Sequence, residues 1–126
     1  MSLCFIVDGY NVIKRSRRFD DNDLRVSRLK FLRFLETSRP HGSSRNSLTI
    51  VFDGSTEVVG FREEWTFQVV FSLGESADDR IKKMVSSSSS PKNCVVVTDD
   101  RDLAIFAKRS GAQVMDTPSF LKKGSA

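Results

Sequence analysis

The sequence is poor in the features that define several large classes of protein. It has no apolar run approaching the roughly 20 residues that a membrane helix needs, so we expect no membrane association. Its amino-terminal stretch lacks a basic segment, which argues against a signal peptide and favours a cytoplasmic setting. The two cysteines, Cys4 and Cys94, lie in strand-like runs, where we expect small buried hydrophobic residues. There is one histidine and no Cys/His cluster, which argues against a zinc site.

Several nucleotide-binding and catalytic motifs are also missing. No G-x-x-x-x-G-K-[ST] occurs, which excludes a P-loop NTPase on motif grounds, and no G-x-G-x-x-G follows the first strand-like run, which argues against a dinucleotide site. The G-x-S-x-G elbow of the α/β-hydrolases is absent as well. A phosphohydrolase of the haloacid-dehalogenase type would need Asp-x-Asp after the first strand, but position 10 is tyrosine.

The composition is that of one globular domain. Hydrophobic residues make up 39% of the chain and charged residues 29%, and 126 residues are enough for a hydrophobic core. We therefore predict a single domain over residues 1–126, with a frayed tail at residues 122–126. The net charge is only +4, but a basic cluster follows the first acidic motif, formed by Lys14, Arg15, Arg17 and Arg18. A basic rim around an acidic centre suits a polyanionic substrate reached through a metal ion.

Strand-like and helix-like patterns alternate along the chain. Short apolar runs predict five strands, at residues 3–7, 47–52, 65–71, 94–97 and 112–115. Helical patterns follow at residues 24–38, 77–85 and 100–110, with a short helical turn at 118–121. This alternation predicts an α/β fold with a mainly parallel central sheet of about five strands flanked by helices. Residues 54–64 are predicted to form a loop that moves over the site, and His41 to be a solvated loop residue.

Acidic residues recur where the predicted strands end. Asp8 and Asp53 each end a strand, and a third acidic group, Asp99, Asp100 and Asp102, follows the strand at residues 94–97. Open α/β sheets bind their ligands at the carboxyl ends of the strands. Carboxylates gathered there raise one another's pKa unless a cation neutralises them, and hard oxygen ligands suit Mg²⁺ or Mn²⁺. The sequence therefore predicts a divalent metal site.

Each of these acids also has a structural interpretation. Asp8 and Asp53 could cap the turns that follow them. Asp78 and Asp79 open a predicted helix, where acids complement the positive end of the helix dipole. Either residue of the pair at positions 99 and 100 could be a helix N-cap, so we expect at least one of them to be structural.

Four motifs carry a resemblance that covers residues 3–121. In chain order they are Ile6-Val7-Asp8-Gly9-Tyr10-Asn11, Val51-Phe52-Asp53-Gly54, Gly74-Glu75-Ser76-Ala77-Asp78-Asp79 and Val97-Thr98-Asp99-Asp100-Arg101. Together they resemble the YacP-like NYN domain family, a branch of the PIN-like ribonucleases. Ser76 stands where the family has Thr, and Asp99 stands where Ser is usual. The second departure leaves open which of Asp99 and Asp100 points into the site.

The resemblance implies a Rossmann-like PIN/NYN fold and metal-dependent endoribonuclease activity. The expected catalytic residues, which match family motif positions, are Asp8, Asn11, Asp78 and Asp100. The three Asp residues would hold Mg²⁺ or Mn²⁺, and further contributions, direct or through water, would come from Asp53, Asp99 and Asp102. Asn11 would orient a water or a phosphate oxygen. Phosphates of the RNA that flank the scissile bond are expected to contact Lys14, Arg15, Arg17, Arg18 and Arg28.

Two other functions stay open at this point. One is a catalytically silent RNA-binding module associated with ribosomes or translation, and the retained acidic motifs argue against it. The other is a different metal-dependent phosphohydrolase, which the missing second Asp after the first strand argues against. The expected partner is RNA, with mRNA on ribosomes as one candidate. The number of metal ions stays open, as does the choice between monomer and homodimer. Tyr10 and Trp65 could stack on bases or pack within the protein.

Overall fold

The central feature of the fold is a five-stranded sheet in which every strand pair is parallel. The computed structural model describes residues 2–54 and 65–124. In chain order the strands are β1 (Cys4–Asp8), β2 (Ser47–Phe52), β3 (Gln68–Phe71), β4 (Cys94–Val97) and β5 (Gln113–Met115). Their order across the sheet is β3-β2-β1-β4-β5, so β1 and β4 lie side by side in the middle. The predicted α/β fold with a mainly parallel sheet of five strands is confirmed.

Five α-helices connect and cover the strands. They are α1 (Gly9–Ser16), α2 (Leu24–Ser38), α3 (Ala77–Ser86), α4 (Arg101–Arg109) and α5 (Thr117–Gly124), with a short 3-10 turn at Pro91–Asn93. None of the helices in the described part of the chain has the length and apolarity needed to cross a membrane.

Alternating side chains of the central strands bury both faces of the sheet. Phe5 and Val7 point into one core, together with residues of α1, α2 and α5. Ile6 lies between them in sequence and points into the opposite core, which α3 and α4 complete. Because side chains alternate across a strand, an unbroken apolar run such as β4 supplies both cores at once. The result is a three-layer arrangement with the sheet in the middle.

Helix α1 is the main element that the sequence pattern does not predict. It begins directly at Gly9, and the buried residues Val12 and Ile13 hold it against the sheet. A Cβ atom at Gly9 would lie 2.4 Å from Cε1 of Phe52, so glycine is required here for close packing of helix on strand.

Several local predictions also need correction. His41 is buried, with 4% of its surface exposed, whereas a solvated loop residue is predicted. Strand β3 is shorter than predicted, and α5 continues to Gly124, three residues into the stretch predicted to fray. Of the predicted mobile loop at residues 54–64, only Gly54 is described, and residues 55–64 lie outside the described residues, as do residues 125–126 of the predicted tail.

Candidate functional site

Three of the predicted acidic residues come from different elements and meet at one edge of the sheet. Asp8 is the last residue of β1 and the N-cap of α1, and Asp100 follows β4 as the N-cap of α4. Val7 and Val97 are register partners in the neighbouring parallel strands β1 and β4, so both strands end at the same level of the sheet. Asp78, in the first turn of α3, completes the group. We call Asp8, Asp78 and Asp100 the acidic cluster.

Burial and the negative charges of the acidic cluster change the pKa values of two of its members, Asp8 and Asp78. The pKa of Asp8 rises from its ordinary 3.8 to about 6, first because of burial and next because of the negative charge of Asp78; Asp100 adds to the increase, and the hydrogen bond from Thr98 opposes it. The pKa of Asp78 is also raised, by burial and then by Asp100. Lys82 lies 3.9 Å from Asp78 and only partly offsets this. The edge of the sheet therefore carries negative charge that the protein leaves largely uncompensated.

A short hydrogen-bond network holds this edge together. Thr98 is 2% exposed, and its hydroxyl oxygen lies 3.4 Å from both Asp8 Oδ2 and Asn11 Oδ1. The same hydroxyl oxygen accepts a hydrogen bond from the backbone N–H of Asp100 at 3.0 Å. No role for Thr98 is predicted from the sequence. The only signal for one is its place between a buried strand and an acidic helix start, where Thr commonly bonds to nearby backbone groups.

Asp99 and Asp100 turn in different directions. Asp100 accepts a hydrogen bond from the backbone N–H of Leu103 through Oδ1, as an N-cap does, and its charge acts on Asp8. Asp99 instead accepts from the backbone N–H of Thr117 at 3.2 Å and so ties the start of α5 to this loop. The backbone N–H of Asp99 donates to Asn11 Oδ1 at 2.7 Å. In this geometry Asp100 lies with the acidic cluster and Asp99 is tied to the start of α5, while the role of each residue at the site stays a prediction.

The other predicted acids lie at the margin. Asp102 is exposed in the first turn of α4, and its charge contributes to the raised pKa of Asp78. Asp53 and Asp79 are both exposed, and Asp79 stands beside Asp78 with its backbone N–H bonded to the Ser76 cap. No contact in the described structure joins Asp53 to the acidic cluster, so its predicted role stays a prediction.

A divalent metal ion at the acidic cluster would need ligands in addition to the protein's carboxylates. Within residues 2–54 and 65–124, no three Asp, Glu, His or Cys side chains are grouped tightly enough to hold a metal ion by themselves. Mg²⁺ usually keeps several waters and takes one or two carboxylates together with substrate phosphates. The converging, partly buried carboxylates fit such a hydrated ion, and they do not form a closed protein cage.

The predicted RNA-binding residues divide into two groups. Lys14, Arg15, Arg17 and Arg18 are exposed at and just beyond the end of α1, as expected for phosphate contacts. Arg28 is only 4% exposed and donates a hydrogen bond to the Tyr10 hydroxyl at 2.6 Å, so its prediction as a surface phosphate contact is wrong. The hydrophobic spacing of α2 gives the reason, because it turns this position inward with Phe31 and Leu32.

The two aromatic residues considered for base stacking pack against the protein. The Tyr10 ring lies 4.9 Å from the Phe52 ring, and the Trp65 ring stacks on Phe67 with 5.7 Å between centroids. Both residues are partly buried against the core of α1, α2 and α5. The packing interpretation therefore accounts for both.

Comparison with known proteins agrees with this architecture. The family model described as YacP-like NYN domain matches residues 5–124. The crystal structure of Rae1 (YacP) from Bacillus subtilis is similar, with a TM-score of 0.76 and 22% identity over 99% of this chain and 74% of that chain. A tryptophan-to-leucine mutant of the same protein gives 0.74 and 20% over 97% and 74%. At these identities the likeness shows the fold alone. No curated protein sequence matches the chain.

Proposed function

Because this chain belongs to the YacP-like NYN domain family, which has a PIN-like nuclease fold, we propose that it is a metal-dependent endoribonuclease. The observation that carries the proposal is the convergence of Asp8, Asp78 and Asp100 at the carboxyl edge of the two central strands. Ligands of open α/β sheets bind at this edge. A protein that only bound RNA would have no use for a partly buried, uncompensated carboxylate group facing a polyanion.

The proposed cofactor is Mg²⁺ or Mn²⁺, as PIN-like nucleases generally use divalent metals. Asp8, Asp78 and Asp100 would hold the ion, with Asp102 acting through water. When bound, such an ion lowers the pKa of a coordinated water and offsets the charge that develops on a scissile phosphate. We leave Asp53 and Asp99 out of this set, because no contact in the described residues joins Asp53 to the acidic cluster and Asp99 is hydrogen-bonded to the start of α5.

The protein's own residues prepare the site in two ways. Thr98 and Asn11 hold the loop after β4 so that the carboxylate of Asp100 stays beside that of Asp8. The side-chain oxygen of Asn11, Oδ1, accepts a hydrogen bond from the backbone N–H of Asp99. We therefore propose that the side-chain NH₂ group of Asn11 orients a phosphate oxygen or a water. Pre-positioned polar groups of this kind need no reorganisation during the reaction.

The proposed substrate is RNA, bound from the acidic cluster along the exposed basic residues of α1. Lys14 and Arg15 occupy the last turn of this helix, and Asp8 caps its start. A strand of RNA lying along α1 would therefore bring one phosphate to the acidic cluster while basic side chains hold its neighbours.

The test is a cleavage assay on RNA with Mg²⁺ or Mn²⁺, with and without a chelator. We expect Asp8→Asn and Asp78→Asn each to lose about 100-fold or more of the activity, which is the usual cost of removing one preorganised charged group from such a site. The chain offers a matched control in Asp79→Asn, which makes the same chemical change on the exposed neighbour in the same helical turn. This control should retain activity.

Three outcomes would decide against the proposal. Cleavage that persists in chelator would remove the metal from the mechanism. Equal loss in Asp79→Asn and Asp78→Asn would mean that general charge, and not the acidic cluster, matters. Tight, salt-sensitive RNA binding by the wild-type chain without any cleavage would favour the silent RNA-binding module.

A further inference from the structure

A cavity of about 430 Å³ lies between the end of α1 and the start of α5, away from the acidic cluster. Its polar lining consists of Arg15, Ser16, Arg18, Thr117 and Lys122, and Pro118 and Leu121 form an apolar wall. Three cationic side chains thus meet around one cavity whose described lining contains no carboxylate. We call this the basic cavity.

The cations of the basic cavity are available for a ligand. Within residues 2–54 and 65–124, no ion pair engages Arg15, Arg18 or Lys122. Arg18 is also held in place, because its guanidinium group lies 4.5 Å from the centroid of the Phe34 ring. A guanidinium stacked in this way loses less conformational freedom when it binds an anion.

A second, independent observation comes from Thr117. Its side chain is 1% exposed, and its hydroxyl has no hydrogen-bond partner. Buried hydroxyl groups are usually hydrogen-bonded, because an unmade bond costs free energy. The backbone N–H groups at the start of α5 already donate hydrogen bonds to Asp99 and Asp116. They are therefore not the groups that would bind an anion in the cavity. The three cations around the cavity therefore select an anion with several acceptor oxygens, such as a phosphate, and the unpartnered Thr117 hydroxyl lies in a residue of the same lining.

The position of the basic cavity relates it to the acidic cluster. Asp8 and Arg15 lie at the two ends of α1, seven residues apart, which corresponds to about 10 Å along the helix axis. The Asp99–Thr117 hydrogen bond joins the loop beside the acidic cluster directly to α5. A single strand of RNA reaches both places when it follows α1, so the two sites are suited to different phosphates of the same strand.

We propose that the basic cavity is a phosphate subsite that binds one backbone phosphate of the RNA, at a fixed distance from the linkage that is cut. This inference rests on the proposed function, since it takes RNA to be the substrate. It adds that the phosphate contacts are not spread evenly over the basic surface. Arg15, Arg18 and Lys122 form one defined contact, whereas Lys14 and Arg17 lie outside the cavity and act only through general attraction.

The test measures binding, so that it is independent of cleavage. A short unstructured RNA is made as a series in which one linkage at a time is an uncharged methylphosphonate, and the affinity of each for the wild-type chain is measured in chelator. We expect one linkage to stand out, with a loss of about fivefold, the upper range for an exposed charge pair. In Arg15→Gln and Lys122→Gln the same substitution should have a smaller effect than in the wild type, because one of the three cations around that phosphate is missing.

Two controls make the result specific. Lys14→Gln, from the same turn of α1, should weaken binding to every RNA in the series and keep the position-specific loss. Arg109→Gln, at the far end of α4, should leave binding unchanged. In Arg15→Gln the slope of log affinity against log salt concentration should fall by about 0.7, as for one single-strand phosphate contact. Melting temperatures verify that each variant is folded.

The outcomes separate this inference from the proposed function. If the chain cuts RNA but no linkage stands out, or if the loss is undiminished in both Arg15→Gln and Lys122→Gln, the subsite is refuted and the nuclease proposal stands. If the position-specific loss is found without any cleavage, the subsite stands and the nuclease proposal fails. If the chain binds none of the RNAs, both are overturned.

Discussion

Removal of the Asp8 charge should stabilise the metal-free protein, although it removes a residue from the proposed active site. Asp8 is partly buried and lies beside two further carboxylates, and its pKa rises from 3.8 to about 6. At about 1.4 kcal/mol for each pKa unit, this difference corresponds to about 3 kcal/mol by which ionised Asp8 destabilises the folded state. Asp8→Asn has nearly the same shape and an oxygen that can still accept from Thr98.

The size of the effect should depend on pH in a defined direction. The unfolded chain ionises Asp8 near pH 4, whereas the folded chain retains the proton up to about pH 6. Between these values the folded state binds more protons, so the contribution of Asp8 to the free energy of unfolding falls as pH rises, and it is constant above about pH 6. We expect Asp8→Asn to match the parent below pH 4 and to be about 1–3 kcal/mol more stable at pH 7.5.

The assay is urea unfolding in chelator from pH 4 to 8, with Asp79→Asn as the control. Asp79 is exposed in the first turn of α3, so its substitution should not reproduce the effect. The pKa of the buried His41 is also shifted, downward, but His41 is present in all three proteins and its contribution cancels in the difference between them. A variant less stable than the parent at pH 7.5, or a difference that does not change with pH, would make Asp8 a structural residue and refute the argument.

Three further predictions concern packing and burial. Gly9→Ala should lower the free energy of unfolding by about 1–3 kcal/mol, because the new Cβ would lie 2.4 Å from Phe52. A gain of about 1 kcal/mol in urea unfolding, as expected at an open helix position, would contradict the close packing. Arg28→Met should cost about 2 kcal/mol in the same assay, because the Tyr10 hydroxyl loses its charged donor; unchanged stability with weaker RNA binding would restore Arg28 as a surface contact. Burial, and then Arg39, lower the pKa of His41, so stability should fall as pH drops below 6.5. His41→Gln should reduce this pH dependence, and an unaltered pH profile would show that His41 is not its source.

The strands were predictable because buried strands have a recognisable local sequence pattern. The limits of β2 and β4 agree with the predicted residues 47–52 and 94–97, since short, mainly apolar runs are typical of strands covered on both faces. Helix α2 begins at Leu24, as the pattern at residues 24–38 predicts, and the side chain of Asp23 caps it. Helix α1 escaped prediction because it is short, opens with glycine and is largely polar. Its stability comes from the packing of Val12 and Ile13 on the sheet, which no local pattern records.

The site was predictable in its chemistry and less so in its membership. Acids at strand ends must lie at one edge of a parallel sheet, so Asp8 and Asp100 were expected to be close. The sequence could not decide between Asp99 and Asp100, because either can cap a helix and the choice depends on the backbone turn after β4. Arg28 resembles its exposed neighbours in charge, and only the packing of α2 shows that it is buried.

By itself, the sequence determined the α/β class, the parallel sheet, and an acidic edge beside a basic segment, because each follows from residue type and short-range periodicity. The tertiary structure alone decided which acidic residues lie close enough to affect one another's ionisation. The raised pKa of Asp8 depends on burial and on the charge of Asp78, which is 70 positions away in the chain. It also decided that the end of α1 and the start of α5 enclose a cavity with three cations. These properties depend on distances between elements that are remote in the chain, and folding alone brings such elements together.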